Sequence, residues 1–157
     1  MPTMADWYTR IPIFAGMSAS ALEQLSSSAG VLEFPADELL FSQGEPGRSF
    51  YLIESGEVEV FQQVESGQEK SIARLPQGDF FGDMAILECA PRSASVRTTQ
   101  PSLLHEITTG HLHQLYKDMP DQYSILILNI ARDLARRLHK MDDQFSYRKS
   151  EDHLSTN

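Results

Sequence analysis

From Val31 to Ile107 the chain is a succession of short apolar segments interrupted by glycine: Val31–Phe34, Leu39–Ser42, Phe50–Glu54, Val58–Val64, Ser71–Leu75, Phe80–Phe81, Ala94–Thr98 and Leu103–Ile107. Gly56, Gly67 and Gly78 recur at eleven-residue intervals. Short strands with turn signals at a regular beat are the pattern of an antiparallel barrel or jelly roll. Glu57-Val58-Glu59-Val60 alternates as a half-exposed strand does. Gly44-Glu45-Pro46-Gly47 and Ser55-Gly56 read as turns.

Helical patterns flank this region. Ile11-Pro12-Ile13-Phe14 leads into a helix over about 18–28, with Phe14, Leu22 and Leu25 facing the core. Ser18 is its natural N-cap, and Ser20 with Glu23 forms an alternative capping box. Thr108 or Thr109 caps a short helix over about 110–118, before Pro120. A long helix follows over 121–147. Its first half (Tyr123, Ile125, Leu126, Ile127, Leu128, Ile130) is apolar nearly all round, as in a helix wedged between surfaces. Its second half narrows to Ile127, Ala131, Leu134, Leu138, Met141 and Phe145, a heptad-like stripe suited to a second helix and hence to a homodimer. The polar tail 148–157 reads as frayed.

With 157 residues the chain has room for one well-buried domain, placed at 1–147. No apolar run approaches the roughly 20 residues that span a bilayer, so no membrane insertion is expected. The N-terminus carries no export signal, and the lone Cys89 has no internal disulfide partner, so the expected compartment is cytoplasmic. The formal net charge is −9. Residues 1–110 hold 6 Lys/Arg against 15 Asp/Glu, whereas 111–157 hold 7 of each. A body this acidic disfavours nucleic acid and anionic membranes. It leaves room for one buried anion pocket.

The stretch 79–96, DFFGDMAILECAPRSASV, suits such a pocket. Gly82 lets backbone approach a phosphate, and the helix-prone run from Asp83 offers unpaired N–H groups to an anion. Arg92, delivered after Pro91, can donate a charge-assisted fork, and the Ser93 hydroxyl adds a donor. The order Phe81-Gly82-Asp83, then Pro91-Arg92-Ser93-Ala94-Ser95-Val96, resembles the phosphate-binding cassette of cyclic-nucleotide-binding domains. The run from Gly44 to Val60, GEPGRSFYLIESGEVEV, resembles the front half of the same family's barrel.

The resemblance covers about residues 11–147 and implies a mainly β fold with flanking helices. Its centre is an eight-stranded antiparallel β-roll, over about 31–108, closed by a long C-terminal lid and dimerisation helix. It implies that Arg92 holds the cyclic phosphate of cAMP or cGMP, helped by Ser93 and by backbone N–H groups around Met84, Ala85 and Ala94. Gly82 and Asp83 would meet the ribose, with the Asp83 carboxylate accepting the 2′-OH. Met141 and Asp142 would fall at the base. Asp83 departs from the family's usual glutamate by one methylene. The long helix also resembles that of catabolite-activator-type transcription factors. The helix-turn-helix expected there finds no room after Tyr147, so no direct DNA binding is expected.

Other constellations read as surface. His111 and His113, at i and i+2, face one side only on a strand, and their surroundings are helical. His105, His139 and His153 show no clear carboxylate partner, so no metal and no metalloenzyme of the cupin type is expected. Asp6, Asp83 and Glu88 form no legible acid/base pair, and the catalytic loop motifs are absent from the sequence. The expected function is therefore that of a non-catalytic sensor of a cyclic nucleotide. It would reposition its C-terminal helix and signal to an effector protein not named by the sequence. The alternative is a dimeric interaction scaffold indifferent to nucleotides.

Overall fold

The computed structural model describes residues 3–88 and 90–155, with side chains at 85, 86, 88 and 141–155 outside the description. Among the described residues, eight strands form two antiparallel four-stranded sheets. They are β1 (Gly30–Phe34), β2 (Leu39–Phe41), β3 (Ser49–Ser55), β4 (Glu57–Gln63), β5 (Glu69–Pro76), β6 (Phe80–Phe81), β7 (Ser95–Thr98) and β8 (Ser102–Thr108). One sheet runs β1-β8-β3-β6 and the other β2-β7-β4-β5. Every expected strand is present within a residue or two of its expected bounds.

The turn between β3 and β4 shows why a glycine stands at position 56. Its φ is +97°, and a Cβ there would lie 2.2 Å from Ser102 Oγ and 2.7 Å from the Pro101 carbonyl oxygen. Only a residue without a side chain fits. Between the sheets, alternate residues of the strands interdigitate: Phe41, Ile53, Val58, Phe81, Val96 and Leu104 form one buried cluster.

A second, larger cluster lies on the outer face of the first sheet. There Phe50, Leu52 and Ile107 meet the helices α1 (Met4–Tyr8), α2 (Ala19–Ser28), α4 (Thr109–Asp118) and α5 (Pro120–Ser155). Ser18 caps α2 by accepting from the Ala21 N–H at 3.2 Å, so the Ser20/Glu23 alternative is not used. Ala21, Leu22 and Leu25 are buried. Thr108 caps α4 in a capping box whose third residue is His111: Thr108 Oγ1 accepts from the His111 N–H, and His111 Nδ1 accepts from the Thr108 N–H, both at 3.1 Å. The short helix α1 and the 3-10 turn at Pro12–Phe14 had no counterpart in the sequence reading.

Three expectations for the last helix change. It continues to Ser155, so the expected break after Tyr147 is absent. Its first half is not enclosed all round: Leu126 and Ile130 are buried against the barrel, while Leu128 is half exposed. In the stripe, Leu134 packs against the core cluster, whereas Ala131 and Leu138 are exposed; Leu138 keeps 61% of its surface. The stripe members Met141 and Phe145 lie outside the described side chains. Asn129 ties the helix down, its Nδ2 donating to the carbonyls of Ile13 and Ala15 at 2.8 Å each. No helix among the described residues is long and apolar enough to cross a membrane.

Candidate ligand-binding site

The cassette segment folds as a strand, a helix and a return strand. β6 pairs with β3, placing Phe80 opposite Leu52 and Phe81 opposite Tyr51. The chain then turns at Gly82, whose φ is +86°, into α3 (Asp83–Glu88). A Cβ on Gly82 would lie 2.7 Å from Arg92 Nη1 and 3.2 Å from the Ser49 carbonyl oxygen. This glycine therefore makes the space into which the arginine reaches.

Arg92 is held by its backbone and its side chain together. Its N–H donates to the Glu45 carbonyl, and its own carbonyl accepts from the Gly44 N–H, both at 2.8 Å. The side chain turns inward and retains 6% of its surface. Nη1 donates to the Gly82 carbonyl at 3.1 Å, and the guanidinium lies 4.1 Å over the Phe41 ring and 5.9 Å from the Tyr51 ring. Phe41, Tyr51 and Phe81 stack or tilt against one another with centroids 5.2–6.1 Å apart, forming an aromatic wall. The buried Nε has no hydrogen-bond partner among the described residues. Burial lowers the Arg92 pKa, and Tyr51, Glu106 and Glu45 act against that. The guanidinium stays charged. A buried cation with an unpaired donor is an open demand for an anion.

Asp83 opens α3 and is also buried, at 2% exposure, with Oδ2 unpaired among the described residues. Burial raises its pKa, and the charge of Arg137 counteracts this. Arg137, on α5, places Nη1 3.9 Å from Asp83 Oδ1, its Nε 2.8 Å from Asp133 Oδ2 and its guanidinium 5.0 Å from the Phe80 ring. The last helix thus reaches the same carboxylate that the cassette presents.

A cavity of about 510 Å³ joins these groups. The sequence-derived site residues Gly82, Asp83, Met84, Arg92, Ser93 and Ala94 all line it. Ala85 lies in the first turn of α3, where backbone N–H groups lack intrahelical partners, and its side chain is outside the description. Ser93 is exposed, and its carbonyl accepts from Gln62 Nε2 at 2.9 Å, which anchors the return strand to β4. Met141 and Asp142 lie outside the described side chains, as does Cys89 altogether.

The sequence reading missed several members. Arg74, Arg137 and Lys140 also line the cavity. For Arg137 the signal was available: Asp133 and Arg137 form an i, i+4 pair on the face of α5 adjoining the apolar stripe. The aromatic wall was not legible, because Phe41 and Tyr51 lie on consecutive strands that enter different sheets and meet Phe81 only in the folded roll. His105 also differs from expectation. It is fully buried, Nδ1 lies 3.0 Å from the Tyr8 hydroxyl, and Nε2 lies 3.6 Å from Glu54 Oε2. His105 therefore does have a carboxylate neighbour.

Comparison with known proteins places the cavity in context. The family model described as "Cyclic nucleotide-binding domain" matches residues 31–119. The CRP-like cAMP-activated global transcriptional regulator of Mycobacterium tuberculosis is 28% identical over 140 residues, covering 89% of this chain and 62% of that protein. The cAMP-dependent protein kinase regulatory subunit of Emericella nidulans is 36% identical over 87 residues, 55% of this chain and 20% of that subunit. The chain thus spans less than two-thirds of either relative. The crystal structure of a cyclic nucleotide-binding domain from Methylobacillus flagellatus superposes with a TM-score of 0.79 at 26% identity, covering 90% of this chain and 79% of that one.

Proposed function

The chain belongs to the cyclic nucleotide-binding domain family, and from that premise we propose that it is a non-catalytic sensor of cAMP or cGMP. In this reading Arg92 receives the cyclic phosphate, assisted by the Ser93 hydroxyl and by backbone N–H groups at Met84, Ala85 and Ala94. Gly82 gives the ribose close approach, and Asp83 accepts its 2′-OH. Met141 and Asp142 meet the base. The observation that carries the reading is that two buried residues of opposite charge, Arg92 and Asp83, line one cavity, and that each keeps a buried polar atom, Nε and Oδ2, without a hydrogen-bond partner among the described residues. A cyclic nucleotide offers both complements, an anion and a hydroxyl donor.

The contact of Arg137 with Asp83 supports a route from ligand to helix. A ribose hydroxyl on Asp83 changes what Arg137 meets, and a shift in α5 follows if one helix position binds the ligand better than the other. The output then passes to an effector protein in the cytoplasm, through a homodimer in which the exposed Ala131 and Leu138 face a second copy. Direct DNA contact is no part of this proposal.

A thermal-shift panel of cyclic mononucleotides tests the reading. A ligand that binds only the native state raises Tm, so cAMP, cGMP or both are expected to do so. No shift at millimolar concentration of either would remove the proposal. A second reading, a dimeric scaffold indifferent to nucleotides, is motivated by one observation: Leu138, seven residues from the exposed Ala131 on the same stripe of the last helix, keeps 61% of its surface. It requires an unmoved Tm together with a dimer in solution.

A further inference from the structure

Arg92 is a buried charge with no carboxylate within ion-pair distance among the described residues. Such an arrangement is strongly unfavourable unless an opposite charge acts from further off. The candidate is hydrogen-bonded to the aromatic wall. Glu106, on β8, lies in register with Tyr51 of β3. Its Oε2 accepts from the Tyr51 hydroxyl at 2.8 Å and from Ser49 Oγ at 3.1 Å. Tyr51 in turn contributes the ring beside the Arg92 guanidinium. The carboxylate is therefore fixed by two hydroxyl donors, one of them on the ring that stands beside the guanidinium.

We propose that Glu106 is the remote counter-charge of Arg92, a positioning residue that keeps the buried guanidinium in the cavity wall without occupying its donor atoms. A direct bidentate pair would satisfy the arginine and compete with any incoming phosphate. A carboxylate tethered by Ser49 and Tyr51 instead supplies its field and leaves the donors open. Two consequences follow. In the free protein, removing the charge of Glu106 leaves Arg92 uncompensated. In the bound protein the ligand phosphate takes over the same role, so the loss is smaller. This second arm rests on the ligand reading above.

The test is a double-substitution cycle with E106Q and R92M. Glutamine still accepts both hydroxyl bonds through its amide oxygen, so the exchange removes charge and keeps the bonds. E106Q is expected to lower Tm by a few degrees in the parent chain and to have little effect in R92M. Equal changes in both backgrounds would overturn the proposal, since Glu106 would then act only through its local bonds. Should R92M not fold, NMR exchange of the Arg92 Nε–H reads the same coupling. Faster exchange in E106Q supports the proposal, and equal rates overturn it.

The ligand arm uses titration calorimetry with cAMP and cGMP. E106Q is expected to bind more tightly, on the order of fivefold. Y51F, which frees the carboxylate to reach the guanidinium, is expected to bind more weakly. Changes of the same sign in the two variants would overturn the proposal. If the parent chain binds neither nucleotide but the stability cycle shows coupling, the ligand reading fails and the counter-charge assignment stands.

Discussion

Arg92 and Gly82 are a matched pair: the arginine occupies the volume that a side chain at position 82 would fill. Gly82→Ala therefore carries two penalties, a Cβ 2.7 Å from Nη1 and a left-handed backbone at φ +86°. Strain of this kind costs about 1–3 kcal/mol, and denaturant unfolding is expected to read a loss of that size. A loss below a few tenths would contradict the strain assigned to this position, since the left-handed backbone remains even if the arginine moves aside. His105 gives a pH-dependent expectation at the same scale. Burial lowers its pKa, and the Glu54 charge works against that lowering. A proton on Nε2, 3.6 Å from Glu54 Oε2, would leave Nδ1 to accept from the Tyr8 hydroxyl. An unfolded histidine, with pKa near ~6.5, binds its proton more readily than the folded one. The stability His105 contributes is thus complete above that value and is lost as pH falls below it through the folded pKa. His105→Gln should flatten the dependence of Tm on pH between neutrality and mild acid, and a slope matching the parent chain would count against this assignment. Trp7, the chain's one tryptophan, sits 5.0 Å from the His105 ring and offers a fluorescence readout of the same titration.

At the scale of elements, α5 links three regions. Asn129 fastens it to the entry turn, Leu126 and Ile130 bury it against the outer sheet face, and Arg137 brings it to the cavity. Asn129→Ala removes the donor from one part-buried and one exposed hydrogen bond and should cost roughly 0.5–1.5 kcal/mol of unfolding free energy. Equal stability would show that solvent replaces the amide at no cost. Beyond the anchored half, the exposed Leu138 is the apolar residue whose replacement tests pairing. Leu138→Glu is expected to shift a dimer toward monomer in analytical ultracentrifugation while leaving Tm of the monomer intact. A parent chain that sediments as a monomer would remove the pairing reading. Much of this architecture was legible beforehand. The succession of short apolar segments and turn residues located all eight strands, because each short strand needs a turn after it, and the N-cap hydroxyls at Ser18 and Thr108 marked two helix starts. The last helix was less legible. Polar residues after Tyr147 carry no stop signal such as Pro or Gly, yet their composition resembles a tail, and the helix runs on to Ser155. The enclosure expected of its first half failed at Leu128 because an apolar letter does not say which neighbour covers it.

For the molecule as a whole, function depends on placing a few cations in an acidic body. Of the six Lys/Arg in residues 1–110, Arg74 and Arg92 line one cavity, and Arg137 and Lys140 reach it from the helix. The cassette itself was legible, since its glycine, acid, arginine and serine are contiguous enough to read as a unit. Their partners were not. Phe41, Tyr51 and Glu106 enter the site through strand pairing across the sheets, which no local pattern encodes. The two-sheet roll is what brings an aromatic wall, a buried guanidinium and a buried carboxylate onto one space, with a helix touching its rim. That convergence is the basis for reading the chain as a cyclic-nucleotide sensor. It is tested most directly by titration calorimetry of cAMP and cGMP into the parent chain and into Arg92→Ala. Saturable binding of at least one nucleotide, weakened by roughly 2–5 kcal/mol in the variant, is the expected result; binding of equal strength to both chains, or to neither, would contradict it.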